Sequence, residues 1–263
     1  MRNLAVGIVL LILFAISPHS ARAEDHVAPA LLDRIVARGV LRVGTTGDYK
    51  PFTYRNPDTG KFEGFDIDQA EALAAAMGVK AEFVPTAWPN LAADFAADKF
   101  DIAMGGVSIT LDRARKGYFS LPYLHEGKTP IARCADKTRY ETLAEIDRPG
   151  VRVIVNPGGT NERFARAHIK TAPIQVFPDN RTIFDEIAAG HADVMMTDVS
   201  ETKYQSKLHP GVLCSVHPDK PFDFAEKAYW MQRDEALKNF VDVWLHMSME
   251  NGAFKSESAK WFE

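Results

Sequence analysis

Between Val40 and Met104 strand-like and helix-like stretches alternate, and that alternation leaves few folds open to the chain. Val40-Leu41-Arg42-Val43-Gly44-Thr45-Thr46 reads as a strand. Asp66 to Met77 puts Ile67, Ala70, Leu73, Ala74 and Met77 on one helical face, and Gly78 stops it. Ala81 to Pro85 is a second strand, Leu91 to Asp98 a second helix, and Phe100 to Met104 a third strand. The order β-α-β-α-β implies a parallel sheet covered by helices. A hairpin is expected where the turn-rich Asn56-Pro57-Asp58-Thr59-Gly60 separates Phe52-Thr53-Tyr54 from Lys61-Phe62-Glu63.

A second unit of the same kind begins near Ile131. Its strands are Val151 to Val155, Ile174 to Phe177 and Ala192 to Met196, its helices Arg181 to Ala189 and Glu201 to Leu208, and Val212 to Val216 closes it. A strand at Ala225 to Trp230 and an amphipathic helix from Asp234 to Met249 come last, the helix with Leu237, Phe240, Val241, Trp244 and Leu245 on its apolar face. The fold class is α/β.

The first residues stand apart. Met1-Arg2-Asn3 is a short positive start, and Leu4 to Ser17 is an apolar run that is short for a spanning helix. Ala21-Arg22-Ala23 fits the small-x-small cleavage pattern of a secretory signal peptide, so residues 1–23 are read as one. The remaining chain, about 240 residues, is expected to be periplasmic and to have no stable membrane association. Loss of Arg2 and Arg22 moves the formal charge from −4 to −6. No basic stripe carries aromatic residues, so nucleic acid is not an expected partner. After export Cys134 and Cys214 meet oxidising conditions, and one disulfide between them is expected over two separate buried thiols. The eight histidines show no paired metal spacing, and there is no phosphate loop or dinucleotide fingerprint. No metal and no cofactor is expected.

The turn after Val155 is the most anion-friendly stretch. In Asn156-Pro157-Gly158-Gly159-Thr160-Asn161, Pro157 ends the strand and two glycines allow close backbone approach. Thr160 and Asn161 suit a helix start, whose free N–H groups favour an anion. Glu162 puts a carboxyl in the same turn. Ligands of open α/β sheets sit beyond the carboxyl ends of strands, which makes the loops at Tyr49, at Trp88, at Gly106 and Ser108, and at Asp198 candidate walls.

Taken in order, Asp48-Tyr49-Lys50-Pro51-Phe52, Gly64-Phe65-Asp66-Ile67-Asp68, Phe100-Asp101-Ile102-Ala103, Ile109-Thr110-Leu111-Asp112-Arg113, Phe119-Ser120-Leu121-Pro122-Tyr123, Gly159-Thr160 and Thr197-Asp198 resemble the periplasmic polar amino acid-binding proteins, family 3 of the solute receptors of ABC transporters. The resemblance implies a two-lobed, periplasmic-binding-protein-like (type II) fold with a ligand cleft between the lobes. Residues 24–125 and 217–263 would form one lobe and 126–216 the other. A nearer resemblance is to the exported cyclohexadienyl dehydratases. It rests on Gly44 to Phe52, Trp88-Pro89-Asn90-Leu91, Glu126-Gly127-Lys128-Thr129-Pro130, Asn156 to Glu162, and Pro221 to Tyr229. Glu126 departs from it, since an aspartate is expected there.

These enzymes turn prephenate into phenylpyruvate, or arogenate into phenylalanine, with loss of water and carbon dioxide. The resemblance implies a dicarboxylate substrate and, for an enzyme, no permease partner; the competing expectation is an amino acid receptor of an ABC transporter. Arg113 falls where the receptors hold a ligand carboxylate, and its fork suits that task. Thr160, Asn161, Gly159, Ser108 and Gly106 would complete the anion site. Asp198 would meet an ammonium group, Tyr49 or Trp88 would stack on a ring, and Lys128 would neutralise a second carboxylate. Glu162 is expected to be the general acid that protonates the leaving hydroxyl, provided that burial keeps it protonated against the pull of the helix dipole.

Overall fold

The structure, a computed structural model, describes residues 28–263, so the expected signal peptide lies outside the described residues. Two five-stranded sheets carry the chain. In the first the order is Lys80–Pro85, Val40–Thr45, Ile102–Ala103, Trp230–Met231, Tyr118–Phe119. Val43 lies beside both Phe83 and Ile102 in parallel register, whereas Trp230–Met231 runs antiparallel to its neighbours. In the second the order is Ile174–Val176, Val153–Val155, Val194–Asp198, Lys128–Arg133, Leu213–Ser215. The first three are parallel, and Lys128–Arg133 is antiparallel to both strands beside it.

Apolar alternation explains why each sheet is covered on two faces. Val153, Val155, Val194 and Met196 pack with Phe164 and Ile169 on one face of the second sheet. Ile154, Met195 and Ile131 pack with Ile183, Phe184 and Ile187 on the other. In the first sheet Leu41, Val43, Ile102 and Met231 meet Ala70 and Leu73 of the helix Phe65–Ala76, and Leu237, Val241 and Leu245 of the helix Glu235–Glu250. The two sheets also repeat one anchoring device. Asp101 accepts the backbone N–H of Arg42 and its guanidinium, both at 2.8 Å. Asp193 accepts the backbone N–H of Arg152 at 2.8 Å and its guanidinium at 2.7 Å. Burial pushes Asp193 up, but Arg152 and Arg133 outweigh it and bring the carboxyl down to about 2.

The chain passes between the sheets twice, at Leu124–Glu126 and Ala225–Lys227, which pair antiparallel with Ala225 opposite Glu126. The single strand expected over Ala225 to Trp230 is thus two. Ala225–Lys227 belongs to the crossing, and Trp230–Met231 joins the first sheet after it. A last helix, Ala253–Phe262, sets Phe254 and Phe262 against Phe65.

Cys134 and Cys214 form a disulfide with Cα atoms 4.8 Å apart. It joins the strands Lys128–Arg133 and Leu213–Ser215 at the end far from the crossing, since Cys214 lies opposite Ala132. The bridge closes a loop of 80 residues. Replacing both cysteines by serine is expected to lower unfolding free energy by about 4 kcal/mol on loop entropy. Urea denaturation of the oxidised protein and the double variant measures it.

Candidate active site

Seven chain turns converge between the sheets. Asp48 and Tyr49 follow the strand Val40–Thr45, and Trp88 follows Lys80–Pro85. Gly106 and Ser108 follow Ile102–Ala103 and lead to Arg113, whose short helix is capped by the Thr110 hydroxyl. Asp66, in the first turn of its helix, pins that loop by accepting the Gly106 N–H at 2.6 Å and the Tyr123 hydroxyl at 2.8 Å. From the second sheet come Asn156 to Asn161 after Val153–Val155, and Asp198 at the end of its strand. The crossing supplies Glu126 and Lys227, and Lys128 follows at once.

Asp198 is the centre. Its Oδ1 accepts from Lys128 Nζ at 2.6 Å, and its Oδ2 accepts from Lys227 Nζ at 2.6 Å and from the Tyr49 hydroxyl. Burial pushes this carboxyl up, but Lys128 and Lys227 pull harder and hold it well below the usual carboxylate range. Lys227 also donates to Ser108 Oγ at 2.9 Å and lies 3.4 Å from Glu126 Oε1. Lys128 spends its other protons on Asn161 Oδ1 at 2.5 Å and Thr160 Oγ1 at 3.0 Å. Arg113 is 7% exposed and donates to the Ser108 carbonyl at 2.8 Å. No carboxylate pairs with it among the described residues. Burial, and the nearby charge of Arg163, lower its guanidinium to about 10. A buried guanidinium without a carboxylate partner has its fork available for one.

Of the residues expected from sequence, Tyr49, Trp88, Gly106, Ser108, Arg113, Gly159, Thr160, Asn161 and Asp198 line one cavity, together with Asn156 and Lys227. In this closed arrangement it has room for about one water, roughly 10 Å³, so the lobes must part to admit any ring-sized ligand. Closure is tight at Gly158, where a Cβ would stand 2.6 Å from Pro89 of the other lobe. Its φ of 77° is also one that favours glycine.

Three expectations meet a different geometry in this closed arrangement. Glu162 is not a wall of the cavity: its carboxyl accepts the Gly158 N–H at 2.7 Å and pairs with Arg166 at 2.7 Å. Those bonds hold it below its ordinary value, the opposite of the direction a general acid needs. Lys128 is not free for a second carboxylate, because its protons are committed to Asp198, Asn161 and Thr160. Asp198 is not free for an ammonium group, because both its oxygens are engaged.

A second first-turn carboxyl, Glu201, was not singled out by sequence reasoning. It sits in the first turn of the helix Val199–Leu208 and is 1% exposed. Burial raises it to about 8. The Thr197 hydroxyl donates to its Oε2 at 2.5 Å and accepts from Asn161, a wall of the cavity, at 3.0 Å. Glu126 holds the same helix start, its Oε2 accepting the Ser200 N–H at 2.9 Å. Lys227 was also missed. It lies inside the stretch Pro221 to Tyr229 that carries the dehydratase resemblance, but only the pairing of the two crossing strands turns it inward.

Two α/β lobes, joined by two crossing strands around a buried ionic cleft, define the periplasmic-binding-protein class. A family model for the bacterial extracellular solute-binding proteins, family 3, matches residues 41–263. The chain belongs to that family. It is 56% identical over 243 residues to the cyclohexadienyl dehydratase of Pseudomonas aeruginosa, covering 92% of this chain and 90% of that one. It is 27% identical over 234 residues to the L-cystine-binding protein TcyJ of Escherichia coli K12, covering 88% and 86%. Among solved structures, an ancestral amino acid-binding protein described as a precursor of cyclohexadienyl dehydratase superposes with a TM-score of 0.81 at 36% identity, over 89% of this chain and all of that one. An ancestral cyclohexadienyl dehydratase, 53% identical over 90% of this chain and 98% of its own, superposes with a TM-score of 0.57. For one two-lobed family, a poorer superposition at higher identity is what a rotation of lobe against lobe produces.

Gly158→Ala is expected to hold the lobes apart. The Cβ meets Pro89 only in the closed form, so ligand affinity should drop about tenfold, while the side chain at positive φ costs about 1–2 kcal/mol of folding stability and lowers the melting temperature by a few degrees. Small-angle scattering should show a larger radius of gyration with ligand present.

Proposed function

We propose that this chain is a cyclohexadienyl dehydratase that converts prephenate to phenylpyruvate, and arogenate to phenylalanine, with loss of water and carbon dioxide. The observation that carries this reading is a buried cationic cavity in which the Arg113 guanidinium has no carboxylate partner among the described residues and Asp198 is already paired with Lys128 and Lys227. Such a cavity suits a dicarboxylate better than an α-amino acid. The 56% identity to a cyclohexadienyl dehydratase supports the same reading.

The substrate is a dicarboxylate. Arg113 takes one carboxylate through its fork, and the free N–H groups at the start of the helix Thr160–His168 add donors. Asp198 neutralises one of its two lysines, so the cavity stays cationic and matches a dianion. Tyr49 and Trp88 flank the ring. Lobe closure excludes water around the ring carboxylate, and this favours its departure as carbon dioxide. Its electron pair enters the ring as the C–O bond breaks, an acid supplies the proton that makes water of the leaving hydroxyl, and aromatisation drives the step. Glu162, in the turn that carries the walls Gly159 to Asn161, is the acid we assign, and it must gain its proton as the substrate carboxylates close over it. An amino acid receptor would need an anion open to the ligand's ammonium group, and Asp198 has none of its oxygens open; the same geometry favours prephenate, which has no ammonium group, over arogenate. Export to the periplasm with cleavage after Ala23, and action without a permease partner, belong to the same reading.

Purified protein mixed with prephenate is expected to form phenylpyruvate; absence of product from both prephenate and arogenate sinks the reading. Glu162→Gln should cost about 100-fold or more in kcat, and Glu201→Gln, whose carboxyl does not line the cavity, should keep most of it. Equal losses in the two variants would show that Glu162 is not the acid. The pH profile has a defined sign. The acid must carry its proton, so kcat is full below the acid's pKa in the complex and falls above it by about tenfold per pH unit. An increase of kcat above that pH would contradict the assignment.

A further inference from the structure

A second cavity, of about 390 Å³ against roughly 10 Å³ for the first, lies directly outside the closed one, with Trp88 and Arg113 in both walls. The first lobe supplies most of its wall, and Gly158 and Arg163 come from the second, so it is a mouth of the cleft where the lobes meet. Trp88, Pro89 and Leu91 give it an apolar side, and its volume suits a ring-sized ligand. Its charged groups are four cations, Arg113, Arg115, Lys116 and Arg163, against one carboxyl, Asp112. That carboxyl is already paired with Arg115 at 2.6 Å. Arg163 is exposed, and no carboxylate pairs with it or with Lys116 among the described residues. Glu162, its neighbour in the chain, pairs with Arg166 instead. Arg163 also borders the adjacent opening beside Ser108, Thr110 and Thr160, so it stands on the seam between the lobes. After burial, its charge is what lowers the Arg113 guanidinium. Like charges facing each other across a closing seam are unfavourable, and an anion between them removes that cost. The chain as a whole has a formal charge of −4, so these cations are a local feature on an acidic protein.

Resting on the dehydratase reading, we propose that this mouth is the capture site for the dianionic substrate, where Arg163 and Lys116 draw the ligand in and deliver it to Arg113 as the lobes close. The ring lies against Trp88 and Pro89 in the encounter, and no bond is made or broken there. Stopped-flow tryptophan fluorescence of the whole protein mixed with prephenate reads the association rate. Arg163→Gln should slow association about tenfold at about 10 mM salt, and the gap should close to about twofold or less near 1 M, where the Debye length is about 3 Å. Arg163→Lys should keep the fast rate, because charge and not the guanidinium fork does the steering. Arg139→Gln removes the same charge from beyond the disulfide and should leave association as it is. In turnover, the Arg163→Gln loss should fall on kcat/KM rather than kcat. A wild-type rate indifferent to salt, an Arg163→Gln rate equal to wild type, equal losses in Arg163→Gln and Arg139→Gln, or a lysine variant as slow as the glutamine one would each overturn the proposal. If wild type forms product while any of these holds, capture alone is refuted. Salt-dependent association lost in Arg163→Gln, without product from prephenate or arogenate, upholds capture and refutes the dehydratase reading; no association at all refutes both.

Discussion

One carboxylate shared between two ammonium groups organises this molecule. Asp198 ends a strand of the second lobe, Lys227 ends one crossing strand, Lys128 begins the chain beyond the other, and Tyr49 reaches in from the first lobe. All four are buried, and a buried charge is tolerable only when paired and hydrogen-bonded. The closed arrangement of the lobes and the ionisation of the cluster are therefore one fact. Parting the lobes pulls Tyr49 from Asp198, and removing either lysine leaves a buried charge unbalanced.

The same cluster divides the work among neighbouring groups. Asp198 and Glu201 lie one helical turn apart, yet their environments push them in opposite directions. Two lysines keep the first ionised; around the second, burial outweighs the Thr197 bond and the weaker pull of Lys128, and keeps it neutral. Separating two carboxyls in this way yields a neutral carboxyl beside a structural anion from one stretch of chain. Because Asp198 absorbs the lysines, Arg113 is left as the buried cation without a carboxylate of its own. The place where a receptor would bind an ammonium group is thus filled, and the Arg113 guanidinium stays available to an anion.

Much of this was legible in the residues. Helix and strand periods in Val40 to Met104 and in Val151 to Val216 specify two parallel α/β units, because side-chain spacing on a buried face is a local property. Walls such as Gly106, Ser108, Thr160 and Asn161 follow strand ends, where sheets of this kind place ligands. The charge state of each carboxyl was not legible. Glu162 and Glu201 both occupy first turns of helices after strands. Glu162 meets the Gly158 N–H and Arg166 at a partly exposed position; Glu201 is enclosed. Sequence spacing does not carry that difference, since desolvation is set by what packs from elsewhere in the chain.

By itself, then, the sequence determined the two α/β units, the pairing of Cys134 with Cys214, and the loops that line the cavity, all of which follow from periodicity, turn chemistry and redox compartment. Tertiary structure decided which acid holds a proton, which lysines are spent on Asp198, and that Lys227 faces inward. Those outcomes depend on distances and burial between residues far apart in the chain, as with Lys227 and Ser108 across 119 positions, and only the closed fold sets them.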